Sequence, residues 1–300
     1  FNEAESLNPL LAEIGTVAAE QGYDYEVIFI DDGSTDGSWD VIVEEHESDS
    51  RVSGVQFRRN FGKAAALNAG FELAQGEIVF TLDADLQDDP QEIPNFLEAL
   101  ETQGVDVVSG WKKKRYDPWH KVGPSRVFNY MVSKLTGVSL HDHNCGFQCY
   151  RSGVLEEIQL YGELHRFVPV LAAARGWGVG EVVVNHRKRQ FGQSKYGVKR
   201  IIKGFLDLLT VHLGTGYGNR PQHLLGSLGL GCFAISGLTM TILTFWWIIH
   251  RVMGVTNPID LHTRALFYFS IAGVIIGIQL LTSGFLAELI TKKTVRAGKR

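Results

Sequence analysis

Two stretches of this 300-residue chain carry no charged side chain: Leu224 to Ile249, about 26 positions, and Ala265 to Ala287, about 23. A hydrocarbon layer about 30 Å thick needs roughly 20 consecutive apolar residues in helical form, and inside lipid only a helix or a closed barrel satisfies its own backbone. The pair predicts a transmembrane hairpin, with His250 to Arg264 as its connection. A soluble fold has then to be built from the residues ahead of it. The overall apolar share of 45% conceals this division, because charged and apolar residues mix freely up to about Leu213. The net charge of −4 says little about partners, since local clusters set the electrostatics.

Ahead of the hairpin, periodicity alternates between strand and helix. Glu5–Gln21 reads as an amphipathic helix and Tyr25–Ile30 as a buried strand; Ser38–His46 is helical, Val52–Phe57 a strand and Lys63–Ala74 an alanine-rich helix. The strand Ile78–Leu82, a helix over Gln91–Gln103 and the strand Val105–Gly110 follow. This order predicts an α/β domain with a doubly wound, mostly parallel sheet. From Trp111 to about Arg189 the pattern is irregular, with further strands expected around a helical Leu164–Arg175. Over Tyr196–Leu213, Val198, Ile201, Ile202, Phe205, Leu208 and Leu209 recur at helical spacing, while Lys195, Lys199, Arg200 and Lys203 gather at the start. Such a helix suits the headgroup region of a bilayer, with packing on the soluble core as the other possibility. The opening "FNE" turn ordinarily follows an apolar strand, so such a strand is expected ahead of Phe1.

Two acidic groups stand at strand ends. Asp31 and Asp32 close "VIFIDD", and Asp83 and Asp85 close "IVFTLDAD". In open α/β sheets the carboxyl ends of strands are where ligands bind. Like charges one residue apart repel unless a cation lies between them, and hard oxygen donors suit Mg²⁺ or Mn²⁺. A carboxylate after the first strand can accept from a nucleoside base or ribose. Asp88-Asp89-Pro90 has the composition of a solvated turn that starts a helix.

The segments "FNEAESL", "DDGSTDGS", "RNFGKAAALNAG", "DADLQDDP" and "SKYG" resemble the family-2 inverting glycosyltransferases with the nucleotide-sugar GT-A fold. Within them the chain is most similar to the polyprenyl-phosphate glycosyltransferases. That resemblance implies a Rossmann-like GT-A catalytic domain over residues 1–190, a cationic loop and interface helix over 191–221, two membrane helices within 222–290 and a basic tail over 291–300. It also implies Mg²⁺ or Mn²⁺ as cofactor, held by Asp83, Asp85 and Gln87. Glu3, Asp31, Asp32, Lys63 and Asp83 would hold the nucleotide. Arg115, Arg126, Arg187, Arg189, Ser194 and Lys195 would meet diphosphate or acceptor phosphate. Asp83, Asp85, Asp142 and Arg166 would serve catalysis. The partners implied are a UDP- or GDP-linked sugar, a polyprenyl phosphate of the undecaprenyl type and the membrane, with a separate flippase downstream. A homo-oligomer is compatible with it, and no nucleic acid is expected.

Some bacterial relatives carry Asp where this chain has Gly146 in "CGFQCYR", which leaves Asp142 as the nearest substitute for a catalytic base. A phosphomonoester has a second pKa of about 6 and is already largely anionic at neutral pH, so attack does not require one. Lys112–Arg115 could equally be a solvated loop, and an exposed loop is expected for Arg187–Arg189. Cys145 and Cys149 read as small half-buried residues without a redox role, and His120, His141, His143, His165 and His186 as plain polar loop residues, since none has metal-site spacing. A processive polysaccharide synthase would carry Gln-x-x-Arg-Trp and more spans, and neither occurs. A silent binding scaffold would not need Asp83, Asp85 and Gln87 together. Lys292, Lys293, Arg296, Lys299 and Arg300 follow the second span, against Arg251 and Arg264 between the spans. The excess of basic residues puts the tail, and with it the catalytic domain, in the cytoplasm at a bacterial-type inner membrane.

Overall fold

Strand and helix alternate from the first residues, as the periodicity predicts. α1 (Ala4–Gln21), β1 (Val27–Asp31), α2 (Ser38–Ser48), β2 (Val52–Gln56), α3 (Lys63–Leu73), β3 (Ile78–Thr81), α4 (Ile93–Thr102) and β4 (Val107–Trp111) succeed one another. α5 (Trp119–Thr136), β5 (Gln148–Arg151), α6 (Ser152–Glu156), α7 (Val168–Arg175), β6 (Val179–Val183), α8 (Lys199–Tyr217), α9 (Pro221–Val252) and α10 (Ala265–Ala297) complete the order. The computed structural model describes residues 1–113, 119–187, 199–217, 220–254 and 260–297. The chain divides into two units, Phe1–His212 and Leu213–Arg300.

In the first unit β1 and β2 pair in parallel, Val27 opposite Val52. The second sheet has the order β3-β5-β4-β6. β4 and β6 are parallel, and β5 runs antiparallel to both β3 and β4. β3, β4 and β6 therefore end at the same edge, which puts the residues after Thr81, Trp111 and Val183 together. β5, one of the further strands expected within residues 111–189, is the antiparallel member of this sheet.

The stretch 111–189, irregular by sequence, holds the 18-residue helix α5. Its Phe128, Met131 and Val132 fall at i, i+3 and i+4 and join the core around Phe167 and Tyr150. A second apolar cluster forms behind β3 and β4, where the Phe96 and Phe147 rings lie 4.4 Å apart, centroid to centroid. Cys145 and Cys149 are fully buried in it rather than half-buried. Burial pushes the Cys145 thiol up to about 12 and raises Cys149 as well, so both are inert at neutral pH.

α8 divides its apolar residues between two surroundings. Leu208 and Val211 are buried in the cluster that contains Phe167 and Val168. Phe205, Leu206 and Leu209 stand about half exposed. The sequence pattern had merged these rows into one face.

The second unit pairs α9 with α10. Gln222 faces Gly284, Gly229 faces Gly277 and Ser236 faces Gly273, so the two helices run antiparallel. Both are long and apolar enough to cross a membrane, and each extends beyond the charge-free stretch that marked it.

His143 departs from the expectation of a polar loop residue: it is wholly buried, with Nε2 2.9 Å from Ser133 Oγ. Burial lowers its pKa from 6.5 to about 4. A depressed folded value means that the unfolded chain binds the proton first, so stability is intact above about pH 6.5 and falls as the pH drops toward 4. The loss expected from this residue is on the order of 2–3 kcal/mol. Thermal midpoints measured across pH 4–7 check it: His143→Gln should flatten that part of the acid slope.

Candidate active site

β1 and β3 belong to separate sheets, and a gap of about 1000 Å³ lies between their unpaired edges. Ile28, Ile30, Val79 and Phe80 line its apolar body, and Glu3, Asp31, Asp32, Lys63 and Asp83 are among its polar lining residues. All five residues assigned to the nucleotide thus border one space. Glu3 sits at the N-terminus of α1, its backbone N–H donating to Ser38 Oγ at 3.1 Å. Asp31 is buried at the end of β1, accepting from the Ser34 backbone N–H at 3.0 Å and from Gln56 Nε2 at 3.4 Å.

Asp32 accepts the backbone N–H groups of Phe61 and Gly62 at 2.6 and 3.0 Å. Its first task is to fix the loop that opens α3. Gly33, at φ 73°, allows the close approach this requires: a Cβ there would stand 2.6 Å from the Arg59 carbonyl carbon. The loop delivers Lys63, the first residue of α3, whose Nζ donates to Asp83 Oδ1. The ammonium beside it holds the Asp83 carboxyl down at about 2.

Asp85 is buried just beyond, with Oδ1 accepting the Gln87 backbone N–H at 3.2 Å. Gln87 Nε2 lies 3.5 Å from His186 Nε2 and from the Arg187 carbonyl. No group of three His, Cys, Asp or Glu side chains with metal-site geometry occurs among the described residues. Two hard carboxylates at a strand end match a cation such as Mg²⁺, which retains waters and takes substrate phosphates as its remaining ligands. The donor set therefore fits the expected ion in that form.

Asp88 and Asp89 are not a solvated turn. Asp88 is 1% exposed, and Lys112 Nζ stands 2.7 Å from its Oδ1. Asp89 caps the turn at Pro90, accepting the Gln91 backbone N–H at 3.1 Å. Lys112, left open as a solvated residue by sequence, belongs to this edge; its place directly after β4 was the available signal. The field at Asp83 also includes His165 and Lys112.

The other expected residues have the following surroundings. Asp142 is buried in a turn, accepting the Asn144 backbone N–H at 3.1 Å. Arg166 is buried and donates to Glu163 Oε2 at 3.0 Å, with Nη1 lying 3.6 Å from where a Cβ on Gly204 of α8 would stand. Arg126 is exposed on α5. Arg115, Arg189, Ser194 and Lys195 lie outside the described residues. Arg187 is no loose loop cation: it donates to Glu13 at 2.7 and 2.9 Å and to Asp89 at 2.6 Å. Arg187→Ala should therefore cost about 1 kcal/mol of stability, read as a lowered thermal midpoint that Glu13→Gln partly reproduces.

Acidic residues gather at the strand ends of this α/β domain, the edge at which ligands bind in open sheets. The family model described as glycosyl transferase family 2 matches residues 1–159, and the chain belongs to that family. It is 36% identical to the dodecaprenyl-phosphate galacturonate synthase of Rhizobium johnstonii, over 99% of this chain and 87% of that protein. It is 35% identical to the undecaprenyl-phosphate 4-deoxy-4-formamido-L-arabinose transferase of Aeromonas hydrophila, over 97% of this chain and 86% of that one. Among solved structures, mannosyl-3-phosphoglycerate synthase from Rubrobacter xylanophilus superposes with a TM-score of 0.55 at 15% identity, covering 71% of each chain. Glucosyl-3-phosphoglycerate synthase from Mycobacterium tuberculosis, in complex with Mn²⁺, UDP and phosphoglyceric acid, gives 0.54 at 16% identity, covering 72% of this chain and 75% of that one. The fold is GT-A-like.

Proposed function

We propose that the protein transfers a sugar from a nucleotide sugar to a polyprenyl phosphate, with a divalent cation at Asp83, Asp85 and Gln87. The observation that carries this reading is that Asp31, Asp32, Lys63 and Asp83 border one space in a chain about 35% identical, over nearly all of its own length, to two polyprenyl-phosphate sugar transferases. A phosphate oxygen of the lipid attacks the anomeric carbon as the bond from that carbon to the diphosphate breaks, which inverts the centre and releases the nucleoside diphosphate. Bound at the two carboxylates, a cation of the kind that accompanies UDP in the Mycobacterium tuberculosis structure supplies charge neutralisation for that leaving group. Lys63 and Lys112 add positive charge beside it, and Asp32 holds the loop that carries Lys63. The acceptor phosphate arrives already anionic, so no buried carboxylate need remove a proton.

Exposed Phe205, Leu206 and Leu209 on α8 support contact with the headgroup layer, while buried Leu208 and Val211 tie the helix to the catalytic domain. Membranes containing the protein, given a panel of labelled nucleotide sugars and undecaprenyl phosphate, should move one label into the organic phase. No transfer from any donor would refute the reading. The basic tail supports a cytoplasmic catalytic domain. On intact cells an impermeant thiol reagent should label a cysteine at Thr256 and spare one at Lys299; the reverse would invert the topology.

A further inference from the structure

The pair formed by Lys63 and Asp83 is built from both sides. On one side, Asp32 pins the backbone of Phe61 and Gly62, so the first residue of α3 has little freedom to wander. On the other stands Gly146, whose carbonyl accepts from Thr81 Oγ1 at 2.9 Å. A Cβ on Gly146 would lie 2.7 Å from Asp83 Oδ2 and 2.9 Å from Lys63 Nζ. The absent side chain is thus what leaves room for the pair. Both partners remain open to the cavity, with side-chain exposures of 35% for Lys63 and 45% for Asp83.

We propose that Lys63 is a displaceable counter-ion that sets the order of binding: it neutralises Asp83 until a nucleoside diphosphate and a divalent cation enter together, then turns its ammonium to the diphosphate. This rests on the metal reading given above. A cation arriving alone must take Asp83 from an ammonium already hydrogen-bonded to it and leave that ammonium without a partner. When a diphosphate arrives with the cation, Lys63 exchanges one anionic partner for another, and the penalty disappears. The site would consequently stay closed to free divalent ions and open to the donor complex.

The test measures Mn²⁺ binding to the full chain in lipid nanodiscs by loss of the free-ion electron paramagnetic resonance signal, with Mn²⁺ alone and with UDP or GDP added. Wild type should bind Mn²⁺ weakly alone and on the order of tenfold more tightly with the matching nucleotide. Lys63→Met should bind Mn²⁺ alone about tenfold more tightly than wild type and gain less from the nucleotide. Lys63→Gln gives the same comparison if the first variant folds poorly. Asp85→Asn should lose Mn²⁺ binding under both conditions. Unchanged or weaker binding of Mn²⁺ alone by both Lys63 variants, with Asp85→Asn still defective, overturns the counter-ion role and spares the metal site. Wild-type Mn²⁺ binding by Asp85→Asn removes the metal assignment itself, and the inference with it.

Discussion

On the proposed metal reading, Asp85→Asn should lower sugar transfer by at least about a thousandfold, because a site that loses one of two carboxylates loses its cation and with it the charge that stabilises the leaving diphosphate. The substitution barely changes shape. Asparagine keeps the oxygen that accepts the Gln87 backbone N–H at 3.2 Å, so the thermal midpoint should hold. Asp83→Asn should follow closely in activity, for the same reason, and it also deprives Lys63 of its anionic partner. That second loss costs little stability, since both side chains are a third or more exposed. Initial rates with saturating lipid acceptor and divalent ion, read beside thermal unfolding, separate the chemistry from the fold. Near-normal turnover in both variants would dismiss the metal assignment.

The elements that place these carboxylates were legible because each carries a local signal. Continuous apolar runs gave β1 and β3, and the Asp-rich turns that end them gave the edge. Lys63 was visible only through the motif that contains it, since nothing in "NFGKAAALNAG" states that Asp32 will pin the preceding loop. Contacts between residues far apart in sequence were least accessible. Arg187 looked like a free cation in a basic loop, yet its guanidinium is bound to Glu13, 174 positions away. Asp88 looked solvated, yet β4 brings Lys112 to it. α5 was missed because Gly123 and Pro124 interrupt the helical signal in the sequence, although Phe128, Met131 and Val132 carry the helical spacing.

Gly277→Leu should break the helical hairpin, an outcome that the two charge-free stretches alone do not foretell. Lipid offers no hydrophobic drive for one helix to pack on another, so close backbone approach at small residues has to supply the contact. Gly273, Gly277 and Gly284 lie along one face of α10. A Cβ at Gly277 would stand 2.8 Å from both the Gly229 carbonyl oxygen and the Phe233 backbone nitrogen. A Cβ at Gly229 would meet the Gly277 carbonyl oxygen at 2.7 Å. Backbone cannot swing aside as a flexible side chain can, so leucine forces the helices apart and costs about 3 kcal/mol. Gly231→Leu and Gly237→Leu provide the control, because an added Cβ at either position meets nothing within 4 Å. Those two exchange glycine for a better helix former and should be neutral or stabilising by up to about 1 kcal/mol. Thermal unfolding in nanodiscs and the mobility of the detergent-bound hairpin on gels should therefore move in opposite directions for chemically identical substitutions. Equal behaviour of all three variants would mean that the hairpin is held by its loop and not by the glycine contact.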